Sequence, residues 1–456
     1  MHKLEPMKHE SGWKKKSKEE VADLFEFSEG YKRFLDHAKT EREAVNAIQS
    51  ALSSCGFSED WAGGKVYRVN RGKEIIAFIR GKQSPAYGFN IVVAHIDAPR
   101  LDLKQNPLYE DVDLGLLKTH YYGGIKKYQW VAIPLAIHGI VVKTDGREID
   151  LAIGENEDEP VFSIDDLLPH LSRKTQDEKK LSEAIDGEKL TLLFGSIPIE
   201  GEEKEAVKKG ILTILQDQYG IEEEDFVSAE IEVVPAFKAR DVGIDRSMVG
   251  AYGQDDRVSA YALLKAISEV PDLQRPCLAI FVDKEEIGSE GNTSMRSNYL
   301  HLFLDEMCEG LKLQSSEALI RKMLFLSKAL SADVNGAMNP TFQDVHEKQN
   351  ACYLGHGLCI TKFTGHGGKV GANDAHAEYV AAIRKIFNDE GILWQTGELG
   401  KIDEGGGGTV AKFLAEYGMD IIDCGTPILT MHSPFEISSK LDVYETYRAF
   451  KAFLKS

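Results

Sequence analysis

Six uninterrupted apolar residues, Cys277 to Val282, run directly into acids in the segment CLAIFVDKEEIGS. A short apolar run bounded by turn signals reads as a buried strand. Such a strand rarely ends in paired carboxylates without chemical reason, because one acid can hold a metal while its neighbour, here Glu285 beside Glu286, handles a proton. Three other segments add weight: IVVAHIDAPR around His95, GAYGQDDRVSA around Asp255 and Asp256, and LTMHSPFE around His432. The strand-like runs Glu74 to Ile79 and Phe89 to Ala94 lead up to His95 and Asp97, and MDIIDCG leads to TPILTMHS. Strand ends are where open α/β sheets place ligands. Together these segments look like a two-metal hydrolase.

Helical signals lie between these runs. Ser17 with Glu20, and Thr40 with Glu43, fit the capping-box pattern, and Val45, Ile48 and Leu52 recur at helical spacing up to a stop near Gly56. The pattern resumes after Asp255 with Val258, Tyr261, Ala262 and Leu264. It returns from about Asp374 with Tyr379, Val380, Ile383 and Phe387 before Gly391, and VYETYRAFKAFL closes the chain. From Lys104 to Arg240 the texture changes, and β-rich runs such as WVAIPLAIHGIVV and IEVVPAF alternate with charged stretches such as RKTQDEKK and EGEEKEAVKKG. The expectation is one α/β domain split in sequence, 1–103 and 246–456, around an inserted β-rich domain at 104–245.

Composition narrows the partners. At 456 residues with 43% hydrophobic content the chain supports two cores. A formal charge of −19 argues against a nucleic-acid backbone as partner and favours peptides or small molecules. No apolar segment approaches the roughly 20 residues of a membrane helix, and the N-terminal stretch lacks the apolar centre of a signal peptide, so no membrane association and a cytoplasmic location are expected. The six cysteines are scattered without a CxxC pair and read as reduced core residues.

His95 followed by Asp97 at a strand end suits a metal ligand with a carboxylate that fixes its tautomer. Asp255 and Asp256 are compatible with bridging two cations or with capping the helix that starts near Arg257. Gly288 and Ser289 after Glu285 and Glu286 suggest a tight turn that presents both acids. Asp333 in LSADVNGAMNP sits in ordinary turn chemistry, and His432 follows an apolar run. The run Gly405 to Gly408 lacks the GK[ST] ending of a phosphate loop and reads as a flexible loop near the cleft.

The ordered set VAHIDAPRLDLK, YYGGI, LLPHLSRK, GQDDRVSA, DKEEIGS, SADVNGAMNP, ANDAHA and GTPILTMHSPFE resembles the aspartyl aminopeptidase family of zinc exopeptidases, in its bacterial branch, almost end to end. The resemblance implies an α/β fold: a three-layer αβα catalytic domain of zinc-exopeptidase type with an inserted β-rich domain for dimerisation and higher assembly. It implies two divalent ions, zinc by family habit with manganese or cobalt compatible with the same donors, bridged by Asp255. One ion would also bind His95 and Asp333, the other Glu286 and His432. Glu285 would be the general base and acid, and Asp97 the residue that orients His95. Lys362 falls at a substrate-contacting lysine, and His170 at a histidine that reaches a neighbouring subunit's site. The implied partners are peptide substrates, acidic at the N-terminus, and further copies of the chain in a homo-oligomer of tetrahedral dodecamer form. The sequence departs from its relatives at Asp256, where many carry Asn, and at Gly336 and Lys369, where eukaryotic relatives carry His and Tyr. A related two-metal amidohydrolase and a non-catalytic particle-forming scaffold are the competing readings.

Overall fold

The apolar runs that precede the acidic and histidine residues lie side by side. In the computed structural model, which describes residues 10–270 and 273–456, the strands Cys277–Val282, Asn90–His95, Lys328–Ala332 and Asp420–Gly425 pair in parallel in that order. Val282 stands opposite His95, and Ala332 opposite Ala94, so these strands finish level. On one side the sheet continues antiparallel through Glu74–Ile79 to Lys65–Asn70. On the other it continues through antiparallel Leu358–Thr361 to Trp394–Thr396. Among the described residues this makes eight strands.

The central strands are buried almost throughout because both faces are covered. Alternate side chains on Asn90–His95 and Cys277–Val282 divide between two cores with the two-residue period of a strand. Val92, Ala94, Ala279 and Phe281 pack on one face with Leu35, Val45, Ile48, Leu263, Ile383 and Phe450, from Lys18–His37, Glu41–Ser54, Gln254–Glu269, Ala377–Asp389 and Lys440–Lys455. Ile91, Val93, Leu278 and Ile280 pack on the other with Phe303, Met307, Met323 and Leu414, from Tyr299–Gly310, Glu317–Phe325 and Ala411–Ala415. The architecture is a three-layer αβα sandwich. Both capping boxes form, Ser17 with Glu20 and Thr40 with Glu43, each anchoring a helix start by about 1 kcal/mol. Gly391, with φ of +62°, follows the helix Ala377–Asp389 as the left-handed stop.

The chain divides into two compact units. The larger comprises the described residues up to Asp97, Ala239–Met431 and Phe435–Ser456; the smaller comprises Ala98–Lys238 with His432–Pro434. The expected boundaries at 104 and 245 fall later than this division, and a cut at 104 would sever the continuous strand Arg100–Asp111. The smaller unit is built on an antiparallel sheet in the order Glu148–Ile153, Leu135–Val142, Ala229–Pro235, Arg100–Asp111, Leu114–Tyr122, Thr191–Gly195 and Ser163–Ile164. The helix Ala206–Tyr219 lays Val207, Ile211 and Leu215 on it. The larger unit holds a second sheet that the sequence patterns do not announce: Arg240–Val242, Met248–Ala251, Glu436–Ser439, Pro427–Leu429 and Asn335–Gly336.

Cys277, Cys308, Cys352, Cys359 and Cys424 are buried free thiols, and Cys55 is an exposed one. Among the described residues, no helix is long and apolar enough to cross a membrane.

Candidate metal centre

Parallel pairing brings the ends of three central strands together in the larger unit. His95 closes its strand with Nε2 3.2 Å from Asp255 Oδ1 and 4.0 Å from Asp333 Oδ1. Its Nδ1 lies 3.1 Å from the Asp97 carbonyl and 3.3 Å from the Asp97 carboxylate. Asp97 has a second task that the residue pattern does not reveal. Its two carboxylate oxygens accept the backbone N–H groups of Glu285 and Glu286, each at 3.1 Å. One buried carboxylate therefore fixes both the imidazole and the acidic turn. That turn is the short 3-10 segment Glu285–Ile287, entered through Lys284 and left through Gly288, both left-handed.

Asp255 does not cap the following helix. A kink separates it from that helix: Asp255 and Asp256 have non-helical backbone angles, with a cis peptide between them. The Asp255 N–H instead donates to Glu436 Oε2 at 3.0 Å. Gln254 Nε2 donates to the carbonyls of Val249 and Glu436, tying the start of the helix to the second sheet. Arg257, wholly buried, donates from Nε to the Ile96 carbonyl at 3.2 Å and from Nη2 to the Lys39 carbonyl at 2.8 Å. Its guanidinium thus braces the peptide between His95 and Asp97. Asp333 follows the strand Lys328–Ala332, and a Cβ on Gly425 would lie 1.9 Å from its carbonyl oxygen, so glycine is what lets the neighbouring strand pass. Glu436, Gln254, Arg257 and Gly425 were not singled out from sequence. All four do fall inside the motif segments GQDDRVSA and GTPILTMHSPFE, which is the signal the sequence offers for them.

Two groups of donor atoms lie within 4.8 Å of one another in this unit: His95 with Asp255 and Asp333, and His95 with Glu285 and Glu286. Their electrostatics suit a cation. Burial first, then the charges of Glu285 and Asp255, push the Asp333 carboxyl well above its ordinary range. Burial likewise raises Asp256, with the Asp255 charge adding to it. Burial alone would lower His95, but the hydrogen bonds to Asp255 and Asp97 and the charges of Asp97 and Glu285 hold it well above the usual imidazole value. Crowded carboxylates around an imidazole in a desolvated site repel one another unless positive charge joins them, and an imidazole with carboxylates is a zinc donor set.

Of the remaining candidates, Lys362 and the glycine run belong to the larger unit, and His432 and His170 to the smaller. Lys362, beyond the strand Leu358–Thr361, forms an ion pair with Asp374, which also pairs with Lys369 at 2.9 Å. The two lysines hold the Asp374 carboxyl below its ordinary range. Lys369 in turn lies 3.8 Å from the centre of the Phe363 ring. The glycine run is packed: Cβ atoms on Gly405 and Gly406 would meet the Leu399 and Gly365 carbonyl oxygens at 2.0 and 1.8 Å. In the smaller unit, His432 has Nδ1 2.9 Å from the Gly124 carbonyl, and His170 is an exposed residue of the short helix Pro169–Ser172.

Carboxylates and an imidazole gathered at the carboxyl ends of parallel strands, in an αβα fold, mark a metal-dependent hydrolase. The comparisons with known proteins make this specific. Residues 34–454 match the family described as aminopeptidase I zinc metalloprotease (M18). The chain belongs to the M18 family, whose members are metallo-aminopeptidases. It is 49% identical over 461 residues to a probable M18 family aminopeptidase 1 of Clostridium acetobutylicum, covering 98% of each chain. Its fold superposes on the crystal structure of an M18 aminopeptidase from Thermotoga maritima with a TM-score of 0.95 at 49% identity, covering 99% of this chain and all of the other. The fold alone is shared with the S. cerevisiae mApe1 dodecamer, at 20% identity and a TM-score of 0.73, covering 95% and 96% of the two chains.

Proposed function

We propose that this M18 aminopeptidase releases N-terminal residues from peptides at a two-metal site. The observation that carries the reading is the convergence of His95, Asp255, Asp333, Glu285 and Glu286 on one strand edge. In this reading His95, Asp255 and Asp333 would hold one ion, and Asp255, Glu286 and His432 the other. The Gly124 carbonyl beside His432 Nδ1 supports this, since a proton held there puts the neutral ring's lone pair on Nε2. Zinc is the family metal, and manganese or cobalt accepts the same donors.

Divalent ions held by these residues would supply Lewis acidity and make a water easier to deprotonate. Glu285 takes the proton of the attacking water and later delivers it to the leaving amine, which requires its carboxylate to stay off the metals. Asp97 serves this step from behind, because it fixes the backbone of Glu285 and the ring of His95 together. A free α-amine meeting the site's carboxylates restricts cleavage to the chain end. Lys362 is the cation that a preference for acidic N-terminal residues would use.

The chain's other partner is itself. Exposed apolar side chains on the smaller unit, among them Val161, Leu171, Leu181, Ile197 and Ile214, support a homo-oligomer built through that unit. The mApe1 dodecamer is the assembly we infer for it, with His170 contributed to a neighbouring subunit's site. Sedimentation should give a dodecamer mass, and a stable monomer would refute the assembly.

The decisive test of the chemistry is Glu285→Gln on metal-loaded protein. Metal content should be retained and turnover fall by at least about 100-fold; unchanged kcat would remove Glu285 from the mechanism. Acetylating the α-amine of a good peptide substrate should abolish cleavage. Continued cleavage would favour the amidohydrolase reading instead.

A further inference from the structure

The acidic turn Glu285–Ile287 is entered through Lys284, whose backbone has a φ of +65°. A Cβ makes this left-handed conformation costly, and lysine has no short polar side chain to offset it locally. Contacts further along the chain hold it instead. The Lys284 N–H donates to Asp283 Oδ1 at 2.8 Å, and its carbonyl accepts the Ser289 N–H at 2.7 Å. Its ammonium pairs with the Asp283 carboxylate and donates to Thr293 Oγ1 at 2.8 Å.

The lock closes from the far side of the loop. Thr293 Oγ1 donates to Asp283 Oδ2 at 2.7 Å, while the Thr293 carbonyl accepts the Asp283 N–H at 3.1 Å. One threonine hydroxyl therefore bridges the ammonium and the carboxylate, and both Asp283 and Thr293 are buried. The stem of Lys284 lies across Gly291, where a Cβ would meet Lys284 Cδ at 2.8 Å, so glycine is what lets the stem pass. The Asn292 carbonyl accepts Asn70 Nδ2 at 2.9 Å, which fastens the loop to the end of the strand Lys65–Asn70. Asp97 fixes the N–H groups of Glu285 and Glu286, and the lock fixes the backbone angles from which they depart.

Resting on the aminopeptidase reading above, we propose that Lys284, gripped by Asp283 and Thr293, is a positioning residue that aims the Glu285 carboxylate for proton transfer. It acts through the backbone. Once the ammonium is released, Lys284 relaxes out of the left-handed region and the carboxylate one residue on moves with it. A displacement of about 1 Å at a reacting group costs up to about 100-fold in rate. The loss falls on kcat and not on KM, because proton transfer is a demand of the transition state.

The test uses the full-length, metal-loaded protein with Leu, Ala and Asp 4-nitroanilides, kinetics being followed on whichever is cleaved fastest. Lys284→Met keeps the stem over Gly291 and removes the ammonium, and Thr293→Val keeps the shape and removes the bridging hydroxyl. Both should lower kcat by about tenfold or more with KM within about twofold. Thr293→Ser retains the hydroxyl and should keep kcat within about threefold of the unmodified protein. Hydrogen exchange read by mass spectrometry should show the amides of residues 284–289 opening about tenfold faster in Lys284→Met and Thr293→Val. A kcat within about twofold in both variants would overturn the proposal, as would a Thr293→Ser enzyme as slow as Thr293→Val. Should Lys284→Met fail to fold, the two Thr293 variants decide. If the unmodified protein cleaves none of the substrates, the aminopeptidase reading falls, whereas unchanged exchange at residues 284–289 overturns the lock itself.

Discussion

Replacing Asp97 with Asn tests whether one carboxylate organises the whole site. Asp97 is wholly buried, accepts two backbone N–H groups at 3.1 Å each, and lies 3.3 Å from His95 Nδ1. Asn fits the same space but keeps one acceptor oxygen. Whichever way the amide turns, an NH2 group faces the N–H of Glu285 or Glu286, leaving one buried donor unsatisfied at a cost of about 1–3 kcal/mol. If that cost appears wholly in the geometry of the donors, it corresponds to about 5- to 150-fold in metal affinity. The loss of negative charge beside His95 acts in the same direction, because it removes part of what orients and polarises the ring. Zinc competition against a chromogenic chelator measures the affinity, and circular dichroism checks that the fold persists. Zinc affinity within about threefold of the unmodified protein, with the fold intact, would refute the idea that Asp97 couples the imidazole to the Glu285–Glu286 turn.

Three further outcomes are expected. Arg257→Met removes the buried donors to the Ile96 and Lys39 carbonyls and should lower resistance to denaturant by about 2–4 kcal/mol, with zinc binding weakened in parallel; an unshifted urea midpoint would count against it. Gly406→Ala forces a Cβ to within 1.8 Å of the Gly365 carbonyl at a φ of +119°, so the 363–374 loop must shift and tryptic cleavage after Lys369 should accelerate; an unchanged rate would contradict the packing. Glu74 is buried, and burial raises its carboxyl to about 8 from an ordinary 4.5. Its folded pKa exceeds the unfolded one, so the unfolded state ionises first, and Glu74 costs stability increasingly between pH 4.5 and 8, by about 1.4 kcal/mol per pH unit. Glu74→Gln should therefore gain stability relative to the unmodified protein as pH rises through that window, and a pH-independent difference in urea midpoint would disprove it.

Much of the catalytic layer was legible in the sequence because its signals are local. Both capping boxes, the helices on either side of the insert and the strand Cys277–Val282 depend on residues a few positions apart. They form where the periodicity puts them. Asp255 is ambiguous in sequence because capping and metal bridging use the same carboxylate; in the structure a kink at Asp255 and Asp256 sets Asp255 off from the helix and turns its carboxylate to His95. The second role of Asp97, the hold of Glu436 on Asp255 and the strand passage at Gly425 were not legible. Each joins residues more than 90 positions apart, and no periodicity encodes a partner at that distance.

The chain's own letters set which chemical groups are available, namely imidazole and carboxylates placed just past apolar runs, since burial pattern and turn chemistry are short-range properties. Only the tertiary structure decided that these groups meet. Strand order in the sheet, fixed by packing of both faces, sets Cys277–Val282 beside Asn90–His95 and Lys328–Ala332 and finishes them level, and the fixed spacing between neighbouring strands then brings the side chains beyond their ends within reach of one another.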